Sequence, residues 1–205
     1  MQVSLLQELI YQIIGAFPLL IIGLAIFFAF LILALVFRAF KREGFTTFEV
    51  ALLLFIAYLL RNIDIPLFTN QGGVTFGFNL AGCLIPVYIS VKIIKSGRIN
   101  PVVALIGIIV VASVSFQLSE FVPEKGIMMN PLIPTVIASI LSVVLCRKEW
   151  RKMGLLAYVS GTMGALIGVD LIRLPALLNL SGSAFFSIGG AGVLDGIFIM
   201  GISAV

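Results

Sequence analysis

Histidine is absent from this chain of 205 residues, and cysteine occurs only twice, at Cys83 and Cys146. Without imidazole there is no histidine general base, no histidine-activated serine or cysteine nucleophile and no histidine-rich metal site. Acid–base chemistry therefore falls to carboxylates, and we expect neither a metal nor another cofactor. The two cysteines fall near opposite faces of the membrane arrangement derived below, which is too far apart for a disulfide.

Charged residues are also scarce, at 11% of the chain against 61% hydrophobic residues, and the mean hydropathy is +1.23. Ordinary soluble domains are about 45–50% apolar. No long polar block interrupts the chain, so the composition indicates an integral membrane protein with one membrane domain over residues 1–205. A net charge of +4 then reports membrane orientation. The expected partner is the lipid bilayer, and no nucleic acid is expected.

Seven apolar runs are each close to the roughly 20 residues that cross a bilayer as a helix. They lie at residues 17–37, 48–67, 79–95, 101–118, 129–146, 153–172 and 184–204. Ahead of them, residues 1–16 place apolar side chains at helical spacing, which predicts an amphipathic helix in the membrane interface. The sequence thus predicts an all-α bundle of about seven transmembrane helices over residues 17–205.

Two Asn-Pro pairs and the basic residues refine this topology. Asn100-Pro101 and Asn130-Pro131 are typical of an N-cap followed by proline at the first helical position, so they predict the starts of the fourth and fifth helices. Basic residues cluster in 38–42, 92–98 and 147–152, at every second connection. By the positive-inside rule, we expect a multi-pass protein of the cell membrane with its N-terminus outside and its C-terminus in the cytoplasm.

Five charged residues fall inside the predicted helices and are candidate functional residues. They are Arg61, Asp64, Asp170, Arg173 and Asp195. A charge at a helix centre costs about 2.5–3.5 kcal/mol on insertion scales, so it normally faces protein or water and often marks a functional path. Asp195 is expected near mid-membrane. The alternative for Asp195 is a protonated carboxyl that only hydrogen-bonds neighbouring backbone.

Four of these residues form pairs at helical spacing. Asp170 and Arg173 are three residues apart, as are Arg61 and Asp64, so each pair is within reach along a helix. Asp170 is interpreted either as half of a structural ion pair near the outer interface or as a catalytic carboxylate. For Arg61 and Asp64 the structural ion pair is favoured, because the two charges satisfy each other near the outer boundary.

A short repeat adds Asn79 to the candidates. Asn79 precedes Leu-Ile-Pro at residues 84–86, as Asn130 precedes Leu-Ile-Pro at residues 132–134. Repeats with broken helices are common in transporters. Ordinary proline-kinked packing accounts for the same pattern, and both interpretations stay open.

The last apolar run is rich in glycine around Asp195. The glycines are Gly189, Gly190, Gly192 and Gly196. One interpretation is close helix packing through small residues. The other is that Gly189, Gly190 and Gly192 unwind the helix, which frees backbone groups that must line protein or water rather than lipid. In that case the glycines let backbone or a ligand approach the carboxylate.

Several segments resemble a family of bacterial and archaeal membrane proteins labelled domain of unknown function 1614. These segments are FNLAGCLIP (78–86), NPLIP (130–134), YVSGTMGALIGVDLIRLP (158–175) and SIGGAGVLDGIF (187–198). The resemblance covers most of the chain after about residue 50. It implies a membrane protein and names no activity.

An aspartate on one helix, followed on the next by Gly-x-Gly and a second aspartate, is similar to the intramembrane aspartyl proteases. Presenilins, signal peptide peptidases and prepilin peptidases share this pattern. The resemblance implies Asp170 and Asp195 as catalytic carboxyls that share a proton, Gly190 and Gly192 as the glycines, and a transmembrane peptide as substrate. In those proteases the aspartate directly follows the second glycine, whereas two residues intervene here.

The sequence leaves three functional hypotheses. The first is an intramembrane aspartyl-protease-like protein that uses a carboxylate pair. The second is a proton- or cation-coupled transporter or channel for a small ion or solute, with an ion site at a glycine-broken helix. The third is a scaffold or lipid-interacting protein without turnover.

Overall fold

A computed structural model describes residues 44–122, 126–130, 132–147 and 149–190, together with scattered residues between 18 and 41. Every described residue in that last stretch is helical, and these residues are called α1. The predicted interfacial helix of residues 1–16 lies outside the described residues. So do Gly192, Asp195 and Gly196.

The described chain is mostly helical. Its further helices are α2 (Thr47–Leu60), α3 (Ile85–Lys95), α4 (Pro101–Leu118), α5 (Leu132–Cys146), α6 (Trp150–Ala165) and the short α7 (Leu174–Leu177). Two π-helical turns adjoin these helices. The first π-helical turn (Leu80–Leu84) leads into α3, and the second π-helical turn (Leu166–Leu171) follows α6.

Five short strands form two small sheets. The strands are β1 (Asp64–Thr69), β2 (Thr75–Asn79), β3 (Glu120–Val122), β4 (Gly126–Met128) and β5 (Phe185–Ile188). In the larger sheet, β2 lies between an antiparallel β1 and a parallel β5. Its register places Asp64 opposite Asn79, and Phe78 opposite Ile188. β3 and β4 form a separate antiparallel pair.

The predicted start of the fourth helix is confirmed. α4 covers Pro101–Leu118, and the Asn100 side chain accepts a hydrogen bond from the Val102 N–H at 2.9 Å. Proline fits here because the first turn of a helix has no intrahelical partner for its missing N–H. The sixth predicted helix corresponds to α6 and the second π-helical turn.

The all-α prediction is wrong where the sheets occur. The run at 48–67 leaves the helix after Leu60 and continues as β1, where Pro66 suits an edge strand because it donates no backbone hydrogen bond. The run at 184–204 begins with β5, and the run at 79–95 begins at the end of β2. Within the described residues, two helices are long and apolar enough to cross a membrane, Pro101–Leu118 and Lys152–Leu177. Seven spans are not confirmed.

α6 is the central helix and packs against α3, α4 and α5. Its residues from 153 to 162 are all buried, whereas α2, α4 and α5 present apolar faces to the outside. Side chains more than half exposed on those faces include Phe48, Phe55, Leu59, Val102, Leu105, Ile109, Val136, Ile140 and Val144. Contiguous apolar surface of this kind marks contact with a membrane or with another protein.

Small residues bring α4 close to α6 and to the second π-helical turn. The contacts pair Gly107 with Ser160, Gly164 with Val111, and Gly168 with Ala112. A Cβ added at Gly168 would lie only 2.3 Å from the Ala112 carbonyl oxygen. Close backbone approach through small residues is characteristic of helix pairs in membranes.

Candidate functional site

Asn79 joins β1, β2 and the first π-helical turn. It is buried, and its Nδ2 donates to the Arg61 carbonyl at 2.8 Å and to Asp64 Oδ1 at 3.0 Å. Its Oδ1 accepts from the N–H groups of Ala81 at 3.0 Å and Gly82 at 2.8 Å. All the hydrogen-bonding positions of this amide are therefore used. Asn79 caps the start of the turn and fixes it to the sheet.

Asp64 begins β1 and does not pair with Arg61. Its Oδ1 accepts from Asn79 Nδ2 and from Ser187 Oγ, while the Arg61 guanidinium lies 4.5 Å from the centre of the Tyr58 ring. The predicted ion pair is wrong because it required a helix through both residues. The helix ends at Leu60, so the three-residue spacing no longer places the two side chains on one face.

Asp170 lies in the second π-helical turn and is partly buried. Its Oδ2 accepts a hydrogen bond from the Gly189 N–H at 2.7 Å, which we call the Asp170–Gly189 contact. Among the described residues, Asp170 and Arg173 form no ion pair, so that interpretation is wrong. A π-helical turn has a wider hydrogen-bonding repeat than an α-helix, which removes the α-helical spacing on which the pair depended.

Arg173 instead caps the C-terminal end of α4. Its Nε donates to Ser119 Oγ at 2.7 Å, and its Nη2 donates to the carbonyls of Phe116, at 2.9 Å, and Ser119. The guanidinium also lies 4.9 Å from the centre of the Phe116 ring. A cation at the negative end of the helix dipole stabilises that end. Arg173 therefore fixes the C-terminal end of α4 to the segment that follows α6.

Replacing Arg173 with Gln is expected to lower the free energy of unfolding by about 2 kcal/mol, because hydrogen bonds from charged groups contribute about 1.5–3 kcal/mol. Arg61→Gln is the control. Within the described part of the chain its guanidinium contacts the Tyr58 ring and no other group, and an exposed cation–π contact contributes about 0.5–1 kcal/mol. Unfolding by sodium dodecyl sulfate in mixed micelles measures both. Equal losses would contradict the role given to Arg173.

Gly82 and Gly189 bring two backbone segments into direct contact. A Cβ added at Gly82 would lie 1.9 Å from the Gly189 carbonyl oxygen, and one at Gly189 would lie 2.8 Å from the Cys83 nitrogen. Gly189 also has a φ of +71°, in the left-handed region where glycine is favoured. Only glycine at both positions allows the two backbone segments to cross this closely. The crossing keeps the Gly189 N–H within hydrogen-bonding distance of the Asp170 carboxylate.

The glycines predicted to interrupt a helix lie instead after a strand, as far as the structure describes them. Gly189 and Gly190 follow β5 in a turn, where the Gly190 N–H donates to the Ser187 carbonyl at 3.0 Å. Neither glycine lies within a helix. Gly192, Gly196 and Asp195 lie outside the described residues, so the meeting of Asp170 with Asp195 stays a prediction.

The structure thus gathers Asp64, Asn79, Asp170 and Gly189 near one another and leaves Arg61 and Arg173 in other contacts. Ser187 and Gly82 complete the arrangement and were not predicted from the sequence. Gly82 lies in the FNLAGCLIP segment, and Ser187 is the first residue of the SIGGAGVLDGIF segment. A partly buried carboxylate here is able to hold a proton or a cation. No group of three Cys, Asp or Glu side chains in the described part of the chain is arranged as metal ligands.

Comparison with known proteins gives one match. The family model described as a protein of unknown function (DUF1614) matches residues 31–205, which include every residue of the candidate site. No curated protein and no solved structure matches the chain. These comparisons do not support the resemblance to intramembrane aspartyl proteases.

Proposed function

The chain belongs to the DUF1614 family, and we propose that it is a multi-pass membrane protein in which Asp170 binds a proton or a small cation during transport or conduction. The apolar faces of α2, α4 and α5 support the membrane location, because so much exposed apolar surface is suited to lipid. The two long apolar helices have the length that a bilayer requires.

The Asp170–Gly189 contact is the observation that carries this proposal. Three irregular backbone segments meet there: the first π-helical turn, the second π-helical turn and the glycine turn after β5. Irregular backbone at membrane depth is tolerated where it is buried in protein or lines a cavity. Transporters commonly build ion sites from interrupted helices with an intramembrane carboxylate.

The chemistry of the Asp170 carboxylate suits reversible ion binding. An ionised carboxylate offers about four lone-pair sites, and the Gly189 N–H occupies one of them on Oδ2. The remaining sites are able to accept a proton or coordinate a cation. The donor is the backbone N–H of Gly189. Small movements of this backbone segment therefore lengthen or shorten the hydrogen bond and change how well it stabilises the ionised carboxylate.

One observation favours intramembrane proteolysis as a second candidate. The Asp170–Gly189 contact brings the first aspartate of the protease-like pattern to the glycine segment that leads to Asp195. A shared proton requires the two carboxyls to lie within about 6 Å of each other. The transport proposal is preferred because it requires only Asp170.

Asp170→Asn is expected to lower ion flux at least tenfold, because the amide neither ionises nor exchanges a proton. The purified protein is reconstituted in liposomes that contain dyes sensitive to protons, sodium or potassium. Glu120→Gln is the matched control, since Glu120 is an exposed carboxylate in β3. A flux that falls equally in both variants would contradict the assignment to Asp170.

The same protein is tested against a library of single-span peptides. Cleavage that is lost in both Asp170→Asn and Asp195→Asn would support the protease and displace the transport proposal. If wild type moves no ion and cleaves no peptide, both candidate activities are wrong and a scaffold or lipid-interacting role takes their place.

A further inference from the structure

We infer that Asp64 and Ser187 are positioning residues for Asp170, since they hold the Gly189 N–H against its carboxylate. Neither residue touches Asp170 in a described contact. They act through the short backbone segment that runs from Ser187 to Gly189. The inference rests on the proposed function, in which Asp170 is the ion-binding group.

The segment is held at both ends by aspartates from different elements. At one end, Ser187 Oγ donates to Asp64 Oδ1 at the start of β1. At the other end, the Gly189 N–H donates to Asp170 Oδ2 in the second π-helical turn. Only Ile188 separates the two points, so the Ser187–Asp64 hydrogen bond restrains the backbone next to the Gly189 N–H. The Gly190 N–H, bonded to the Ser187 carbonyl, tightens the same turn.

Asn79 completes a closed ring of contacts around this segment. It donates to Asp64 Oδ1, which fixes the carboxylate that receives Ser187. Its own Oδ1 accepts from the Gly82 N–H, and Gly82 lies against the Gly189 carbonyl. Hydrogen bonds between the side chains of Asn79, Asp64 and Ser187 therefore hold one side of the segment. The backbone contact between Gly82 and Gly189 holds the other side.

Loss of the Ser187 hydroxyl does not remove the sheet that carries it. β5 still pairs with β2, with Ile188 opposite Phe78. What changes is the placement of the Gly189 N–H relative to Asp170. The expected effect is a change in ion affinity rather than in the number of folded, conducting molecules.

Ser187→Ala is expected to change the apparent KM for the transported ion about tenfold, the lower end of what a hydrogen bond to a charged group contributes. A carboxylate that loses an N–H donor binds a proton more tightly, so the KM is expected to fall for protons and to rise for sodium or potassium, with which protons compete. The maximal rate is expected to stay within about twofold of wild type. The ion is whichever of protons, sodium and potassium the wild type moves. Ser187→Thr keeps the hydroxyl and is expected to restore the affinity. Asp64→Ala is expected to shift the affinity at least as much as Ser187→Ala, because it also removes the acceptor of Asn79 Nδ2. The double variant is expected to be no worse than Asp64→Ala, since both changes remove the Ser187–Asp64 hydrogen bond.

Thr69→Val is the control, since its hydroxyl is paired with Thr75 at 2.9 Å at the end of the β1–β2 pair opposite Asp64. It is expected to leave the apparent KM unchanged. An equal change of KM in Thr69→Val and Ser187→Ala would show a general effect of loosening the sheet and would overturn the inference.

A second readout does not depend on transport. The Gly189 amide proton, bonded to a carboxylate, is expected to resonate downfield in protein labelled with 15N-glycine in lipid nanodiscs. It is expected to move upfield in Asp170→Asn and in Ser187→Ala, and to stay in place in Thr69→Val. If wild type shows no flux but the resonance moves as described, the positioning role stands and the proposed function fails. If Asp170→Asn abolishes flux while Ser187→Ala changes neither KM nor resonance, the inference fails and the proposed function stands.

Discussion

The variant Gly82→Ala is expected to lose about 3 kcal/mol or more of unfolding free energy, at the upper end of what overpacking costs. The added methyl carbon would lie 1.9 Å from the Gly189 carbonyl oxygen. That oxygen belongs to the backbone, so no rotamer change relieves the collision, and the crossing between the two segments must open. Alanine is favoured over glycine in a helix by about 1 kcal/mol, which is too little to offset the collision.

Gly97→Ala provides the control for substitution of a glycine without a collision. Gly97 has a φ of +69°, and a Cβ there meets nothing within 4 Å. Its expected cost is the strain of a left-handed alanine alone, about 1–2 kcal/mol. Gly189→Ala has nearly the same φ but adds backbone contacts at 2.7 Å and 2.8 Å, so it is expected to cost clearly more than Gly97→Ala. If all three variants have the same free energy of unfolding as wild type, the close contact between the Gly82 and Gly189 backbones does not exist.

Hydropathy predicts most of the helices but does not distinguish the strands from them, for a physical reason. Within the run at 48–67, the strand residues Ile65, Leu67 and Phe68 are as apolar as the helix before them. Hydropathy therefore continues across the point where the helix ends. Pro66 was the available signal, because proline favours an edge strand over a helix interior. α4 was predicted at its start because Asn100-Pro101 specifies a helix start locally.

The candidate site divides in the same way between local and long-range information. Asp170 was found from its charge in an apolar run, which needs no knowledge of its neighbours. The predicted ion pair between Asp170 and Arg173 is wrong because it requires α-helical spacing, whereas Asp170 lies in a π-helical turn. Its observed partner is the backbone of Gly189, and a backbone N–H leaves no trace in residue types. Ser187 was missed because its role depends on Asp64, which is distant in the chain and reaches it through sheet register.

The second large effect is expected at the contact between α4 and the segment after α6. In Gly168→Ala the added methyl would lie 2.3 Å from the Ala112 carbonyl oxygen and 2.9 Å from its Cα. The two backbones would have to separate, which loosens the packing that holds the second π-helical turn and Asp170. We expect a loss of about 3 kcal/mol, against a gain of about 1 kcal/mol at most from alanine's helix preference.

Two other glycines along the same contact give a graded comparison for Gly168→Ala. At Gly164 the added carbon would lie 2.6 Å from the Val111 Cβ, and at Gly107 it would lie 2.9 Å from the Ser160 Cβ. The opposing atoms are side-chain carbons there, and the smaller overlap at Gly107 is nearly offset by alanine's helix preference of about 1 kcal/mol. Unfolding midpoints in sodium dodecyl sulfate should therefore fall most for Gly168, less for Gly164 and least for Gly107. The reverse order would mean that α4 does not approach the second π-helical turn through Gly168, and the support for the position of Asp170 would be lost with it.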